Sequence, residues 1–107
     1  MTMFEERRDE LEKKYFHEEE LLFKATSRRN RLFGLMIAGK TGRQGDEAAA
    51  YAKEFVMKAA LTPSGDDGLR KLIVDELAAA GQEIPLAEIN RLLGELLVQA
   101  MEEIRAE

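Results

Sequence analysis

Apolar residues recur at spacings of three and four through most of the chain, and no stretch alternates apolar with polar at every second position. That periodicity is helical, and it predicts helices over about 19–38, 46–61, 65–80 and 85–105. On the first, Leu22, Ala25, Thr26, Arg29, Leu32, Phe33 and Met36 share one face, while Lys24, Arg28 and Arg31 form a basic stripe opposite. The second turns Ala48, Tyr51, Ala52, Phe55, Val56 and Ala59 inward, and the third Leu69, Leu72, Ile73, Leu77 and Ala80. The fourth keeps the spacing from Leu86 through Ile89, Leu92, Leu93, Leu96, Leu97 and Ala100 to Ile104.

The breaks between these segments carry turn chemistry. The run from Gly39 to Gly45 contains three glycines, and Thr62-Pro63-Ser64-Gly65 supplies a proline break with Ser64 as a candidate cap. Asp66 and Asp67 suit the positive end of the third helix dipole, Gly81 is a stop signal, and Pro85 suits the start of the last helix. Short connections favour antiparallel neighbours. The expected fold is therefore all-α, a compact four-helix bundle spanning 19–107, preceded by a mobile, partly helical N-terminal arm over 1–18.

The arm is defined by charge. Residues 5–20 hold twelve charged side chains in sixteen positions, and only Phe4, Leu11 and Tyr15 offer apolar anchors on one side. Asp9 with Lys13, Glu10 with Lys14 and Glu20 with Lys24 stand in the acid-first order that supports a helix. Two readings fit: a frayed helix that orders on a partner, or a solvated helix extending the bundle.

Composition narrows the function classes. At 107 residues the chain is a single domain, and with no cysteine it has neither disulfides nor a thiolate nucleophile or ligand. No apolar run approaches a membrane span or a signal peptide core, so a soluble cytoplasmic protein is expected, without direct membrane insertion. A net charge of -5 disfavours nucleic acid, yet residues 21–45 carry Lys24, Arg28, Arg29, Arg31, Lys40 and Arg43 with no acid.

Gly34 to Thr41 satisfies the spacing of a phosphate-binding loop, G-x-x-x-x-G-K-T. A true phosphate loop follows a strand and opens a helix, whereas here the motif closes a helix and holds bulky Leu35, Met36 and Ile37. Lys40 and Arg43 beside the second helix leave two readings, an anion contact without hydrolysis or an ordinary polar loop. Arg29 intrudes on an apolar face, as Glu76 does on the third helix, so either the two pair or Arg29 lies at the margin with its head in water. His17, the sole histidine, sits beside three glutamates that raise its pKa if it is shielded and leave it ordinary if it is solvated. No histidine pair is available for a metal and no acid–base constellation emerges, so neither a metal site nor an enzyme is expected.

The blocks His17-Glu18-Glu19-Glu20-Leu21-Leu22-Phe23-Lys24 and Arg28-Arg29-Asn30-Arg31-Leu32-Phe33-Gly34 resemble the zeta subunit of alphaproteobacterial F-type ATP synthases. Phe4, Arg7, Glu12, Lys14 and Tyr15 look like that family's arm, and Ala50 to Glu54 and Ala79-Ala80-Gly81 like its later helices. Arg8-Asp9 and Phe16 depart from the commoner choices, and Met36 stands where tryptophan is frequent. The resemblance implies an inhibitor of ATP hydrolysis whose arm enters an interface between α and β subunits of the ATPase head near the γ stalk. It implies arm contacts at Phe4, Arg7, Leu11, Glu12, Lys14 and Tyr15. A monomer held at the inner membrane through the synthase is also implied. So is regulatory ADP or ATP at the bundle, with Arg28, Arg29, Lys40 and Arg43 as its candidate contacts and no cofactor required.

Overall fold

The computed structural model describes the backbone of residues 3–63 and 65–107 and the side chains of 18–63 and 65–107. The expected arm contacts at Phe4, Arg7, Leu11, Glu12, Lys14 and Tyr15, the setting of His17 and the cap at Ser64 lie outside the described residues. Four helices follow one another: α1, Met3–Lys40; α2, Gly45–Leu61; α3, Gly65–Ala79; and α4, Leu86–Ala106. Among the described residues there is no strand, and the all-α bundle expected from periodicity is the observed fold.

Two helix ends show how glycine sets the connections. After α1, Gly42 adopts φ 81°, its N–H donates to the Gly39 carbonyl, and the Arg43 N–H donates to the Ala38 carbonyl at 2.9 Å. After α3, Gly81 adopts φ 73°, and the Gln82 N–H reaches the Leu77 carbonyl at 2.8 Å. Both are Schellman closures, in which a left-handed residue turns the chain back onto orphan carbonyls at no side-chain cost. Pro85 precedes α4 in extended conformation and its carbonyl accepts the first helical bonds, from Glu88 and Ile89.

The core is one cluster drawn from every helix: Phe33 and Ile37, Phe55, then Leu69, Ile73 and Leu77, then Ile89 and Leu93. α1 packs against both α2 and α4 and is the central element. α1 and α2 approach closely at Gly34, where an added Cβ would stand 2.8 Å from the Ala52 Cα. Gly34 thus belongs to a helix, as expected of the reversed phosphate-loop pattern, and the structure adds that it serves helix packing.

The buried face of α1 is largely the expected one: Ala25, Arg29 and Phe33 are buried and Thr26, Leu32 and Met36 half-buried, while Leu22 is 53% exposed and Ile37 and Ala38 join the buried set. Among the residues of α1 whose side chains are described, 18–40, the first buried one is Ala25. At 1.5 Å per residue the 38 residues of α1 span about 57 Å, close to the 62 Å long axis of the molecule.

Candidate functional site

The basic stripe on α1 becomes one wall of a groove. Lys24, Arg28 and Arg31 recur every three or four residues, and the packing of α2 brings Lys53, Val56 and Met57 opposite them. The end of α4 closes the groove with Ile104 and Glu107, leaving a volume of about 990 Å³. Phe23 stands on its rim, 77% exposed, and Met57 is 60% exposed. Arg28 faces α4, where its guanidinium bonds Glu107 and lies 3.6 Å from Glu103. The Glu107 hydrogen bond, opposed by partial burial and helped by the charges of both glutamates, raises the Arg28 pKa, so this cation is permanent.

Arg29, the next residue, points elsewhere. It is 5% exposed, and the Arg29–Glu76 pair anticipated from the two intruding charges does not form. Arg29 Nη2 instead donates to Asp66 Oδ1 at 3.1 Å, and its Nε donates to Asn30 Oδ1 at 3.4 Å. The physical reason is position along the bundle: Arg29 lies level with the start of α3, where Asp66 sits in the first turn. Glu76, ten residues further along α3, accepts from Lys58 Nζ at 2.7 Å. That bond, against some burial and with the Glu76 and Glu54 charges, raises the Lys58 pKa. Burial first, then the Glu76 carboxylate, pushes the Tyr51 hydroxyl up to about 12, with Arg43 opposing. The Arg43 guanidinium lies 4.5 Å from the Tyr51 ring centroid and donates to Thr41 Oγ1.

These placements separate the four cations proposed for a nucleotide. Arg28 faces the groove, Arg29 is buried against Asp66, Arg43 covers Tyr51, and Lys40 is exposed at the end of α1. They do not converge on one ligand. Among the described residues, no three His, Asp or Glu side chains gather as a metal site. Sequence reasoning missed Lys53 and Met57 as partners of the basic stripe, because only the α1–α2 crossing brings them there.

The family model for ATPase inhibitor subunit zeta matches residues 1–103. The chain belongs to that family. No curated protein and no solved structure matches it. The zeta match begins at residue 1 and runs into α4, ending three residues before that helix does. No helix among the described residues is long and apolar enough to cross a membrane, and membership of the inhibitor family implies association with the ATP synthase.

Proposed function

We propose that the chain inhibits ATP hydrolysis by inserting residues 1–18 at an interface between α and β subunits of the ATPase head, near the γ stalk, while the bundle braces outside. One observation carries the reading: a family match that includes the arm, on a chain whose α1 runs unbroken from Met3 into the core. A helix already nucleated by the bundle extends into the arm at the cost of propagation alone. The arm therefore arrives at its partner with little left to order. Phe4, Leu11 and Tyr15 are its apolar anchors in this proposal, and Arg7, Glu12 and Lys14 its charged contacts. The subunit sits on the cytoplasmic side of the inner membrane through the synthase.

Deleting residues 1–18 tests the proposal in a hydrolysis assay with the purified ATPase head. The truncated bundle keeps its helical circular dichroism and its cooperative melt and loses inhibition. Inhibition at full strength without the arm refutes the mechanism.

A further inference from the structure

We infer that the groove between α1, α2 and the end of α4 is a docking face for an acidic, amphipathic helix of a partner protein. The inhibitor reading enters only in placing that helix on the ATPase head.

Charge complementarity argues for the occupant. The chain is net -5, yet Lys24, Arg28, Arg31 and Lys53 line one groove; Lys24 pairs with Glu20 at 3.1 Å and Arg28 with Glu103 and Glu107, so its uncompensated charge lies on Arg31 and Lys53. Among the described residues, Arg31 and Lys53 have no carboxylate within bridging distance, and both are exposed. A local positive field on an acidic molecule selects an acidic partner and orients its approach.

The shape of the charge argues for a helix. Lys24, Arg28 and Arg31 extend along about 10 Å of α1, matching carboxylates spaced a turn apart on a partner. The protein already contains one example of this recognition: Glu103 and Glu107, four residues apart on the end of α4, both approach Arg28. They satisfy one cation from one side and leave Arg31 and Lys53 open. Phe23 and Met57, both exposed, supply the apolar component along the groove, as a helix laid in it requires. A small anion fits this surface less well. The cations are spread along the groove rather than gathered, and none of the four is buried.

The test uses the full chain and a helical peptide of about twenty residues with glutamates at i and i+4 and a leucine stripe, followed by amide shifts. Shifts confined to residues around Phe23 to Arg31 and Lys53 to Met57 are expected, fading as salt rises. A charge-reversed peptide of the same pattern leaves those signals unmoved. Arg31→Glu with Lys53→Glu weakens peptide binding about tenfold while the circular dichroism stays unchanged. Glu103→Gln with Glu107→Gln, by releasing Arg28, tightens it. Peptide shifts elsewhere, or none, overturn the inference, and groove shifts produced by ADP but not by the peptide assign the groove to a nucleotide instead. With the ATPase head, the Arg31→Glu, Lys53→Glu variant raises the half-inhibitory concentration and leaves inhibition at saturation intact. A wild-type chain that fails to inhibit removes the inhibitor reading, while the peptide titration still decides the groove.

Discussion

Removing the carboxylate opposite Arg29 shows how much its ion pair contributes to holding α1 against the start of α3. The guanidinium nitrogen and the Asp66 oxygen are 3.1 Å apart, with the Arg29 side chain 6% exposed and that of Asp66 55% exposed. At that separation two unit charges attract by about 5.4 kcal/mol at an effective dielectric near 20, and by about 1.3 kcal/mol in water. The half-exposed partner places the pair between those limits, and burial of Arg29 subtracts a desolvation cost. A net contribution of about 2 kcal/mol follows, in the range of hydrogen bonds to charged groups. Asp66→Ala loses this and leaves a buried cation whose one remaining described bond is the 3.4 Å contact to Asn30.

Arg29→Met keeps an unbranched stem in the same place and sheds the charge, so it costs less than Asp66→Ala. Urea unfolding followed at 222 nm measures both and the double variant. The expected coupling between Arg29 and Asp66 is about 1–2 kcal/mol, and Asp66→Ala alone lowers Tm by about 8–16 °C. The same cycle between Arg29 and Glu76 gives coupling below about 0.5 kcal/mol. A cycle in which Arg29 couples to Glu76 and not to Asp66 would refute the reasoning.

Gly34→Ala and Gly39→Ala have opposite signs. The first forces a Cβ to 2.8 Å from Ala52 Cα, and this overpacking outweighs about 1 kcal/mol of helix propensity. The second meets nothing within 4 Å and keeps the propensity gain, which thermal melts of the two variants separate. Tyr51 deprotonates near 10 in the unfolded chain and near 12 in the fold, so its contribution to stability is complete below pH 10 and lost as pH rises from 10 to about 12. Absorbance at the tyrosinate band reads the midpoint, and Glu76→Gln moves it down. Glu19→Pro breaks α1 ahead of the core, lowering helical signal and weakening inhibition of the ATPase head while the bundle still melts cooperatively.

Helix ends were legible because their chemistry is local: Gly42 and Gly81 close α1 and α3 by the same left-handed turn, and each signal lies within a few residues of its effect. The inward face of α1 was harder to read. Leu21, Leu22 and Phe23 are consecutive, so spacing alone does not choose which points inward. The packing of α2 and α4 makes the choice, leaving Leu22 and Phe23 exposed and drawing in Ile37 and Ala38. The place of Arg29 on the apolar face could be read from its neighbours, but they left open whether its head is buried or in water. Its partner could not be read, because Asp66 already had a sufficient local role at the start of α3. The groove divides the same way: the cationic stripe on α1 follows from spacing, while Lys53, Met57 and Glu107 join it only through tertiary packing.

The placement of these elements along α1 gives the helix two functions that constrain each other. Its C-terminal half, from Ala25 to Ala38, is held by the core, by Arg29 on Asp66 and by Arg28 on α4. Among the side chains described in its N-terminal half, those from residue 18 on, none is buried before Ala25. An isolated segment of that length is marginal as a helix, because nucleation is unfavourable by about three orders of magnitude. Attached to a folded bundle, it needs only propagation, and each acid-first pair along it favours that step by about 0.2–0.5 kcal/mol. Loosening the bundle end of α1 therefore weakens the template for the arm as well as the core. The two ion pairs at Arg28 and Arg29, one toward α4 and one toward α3, tie the bundle half of α1 to two of its neighbours.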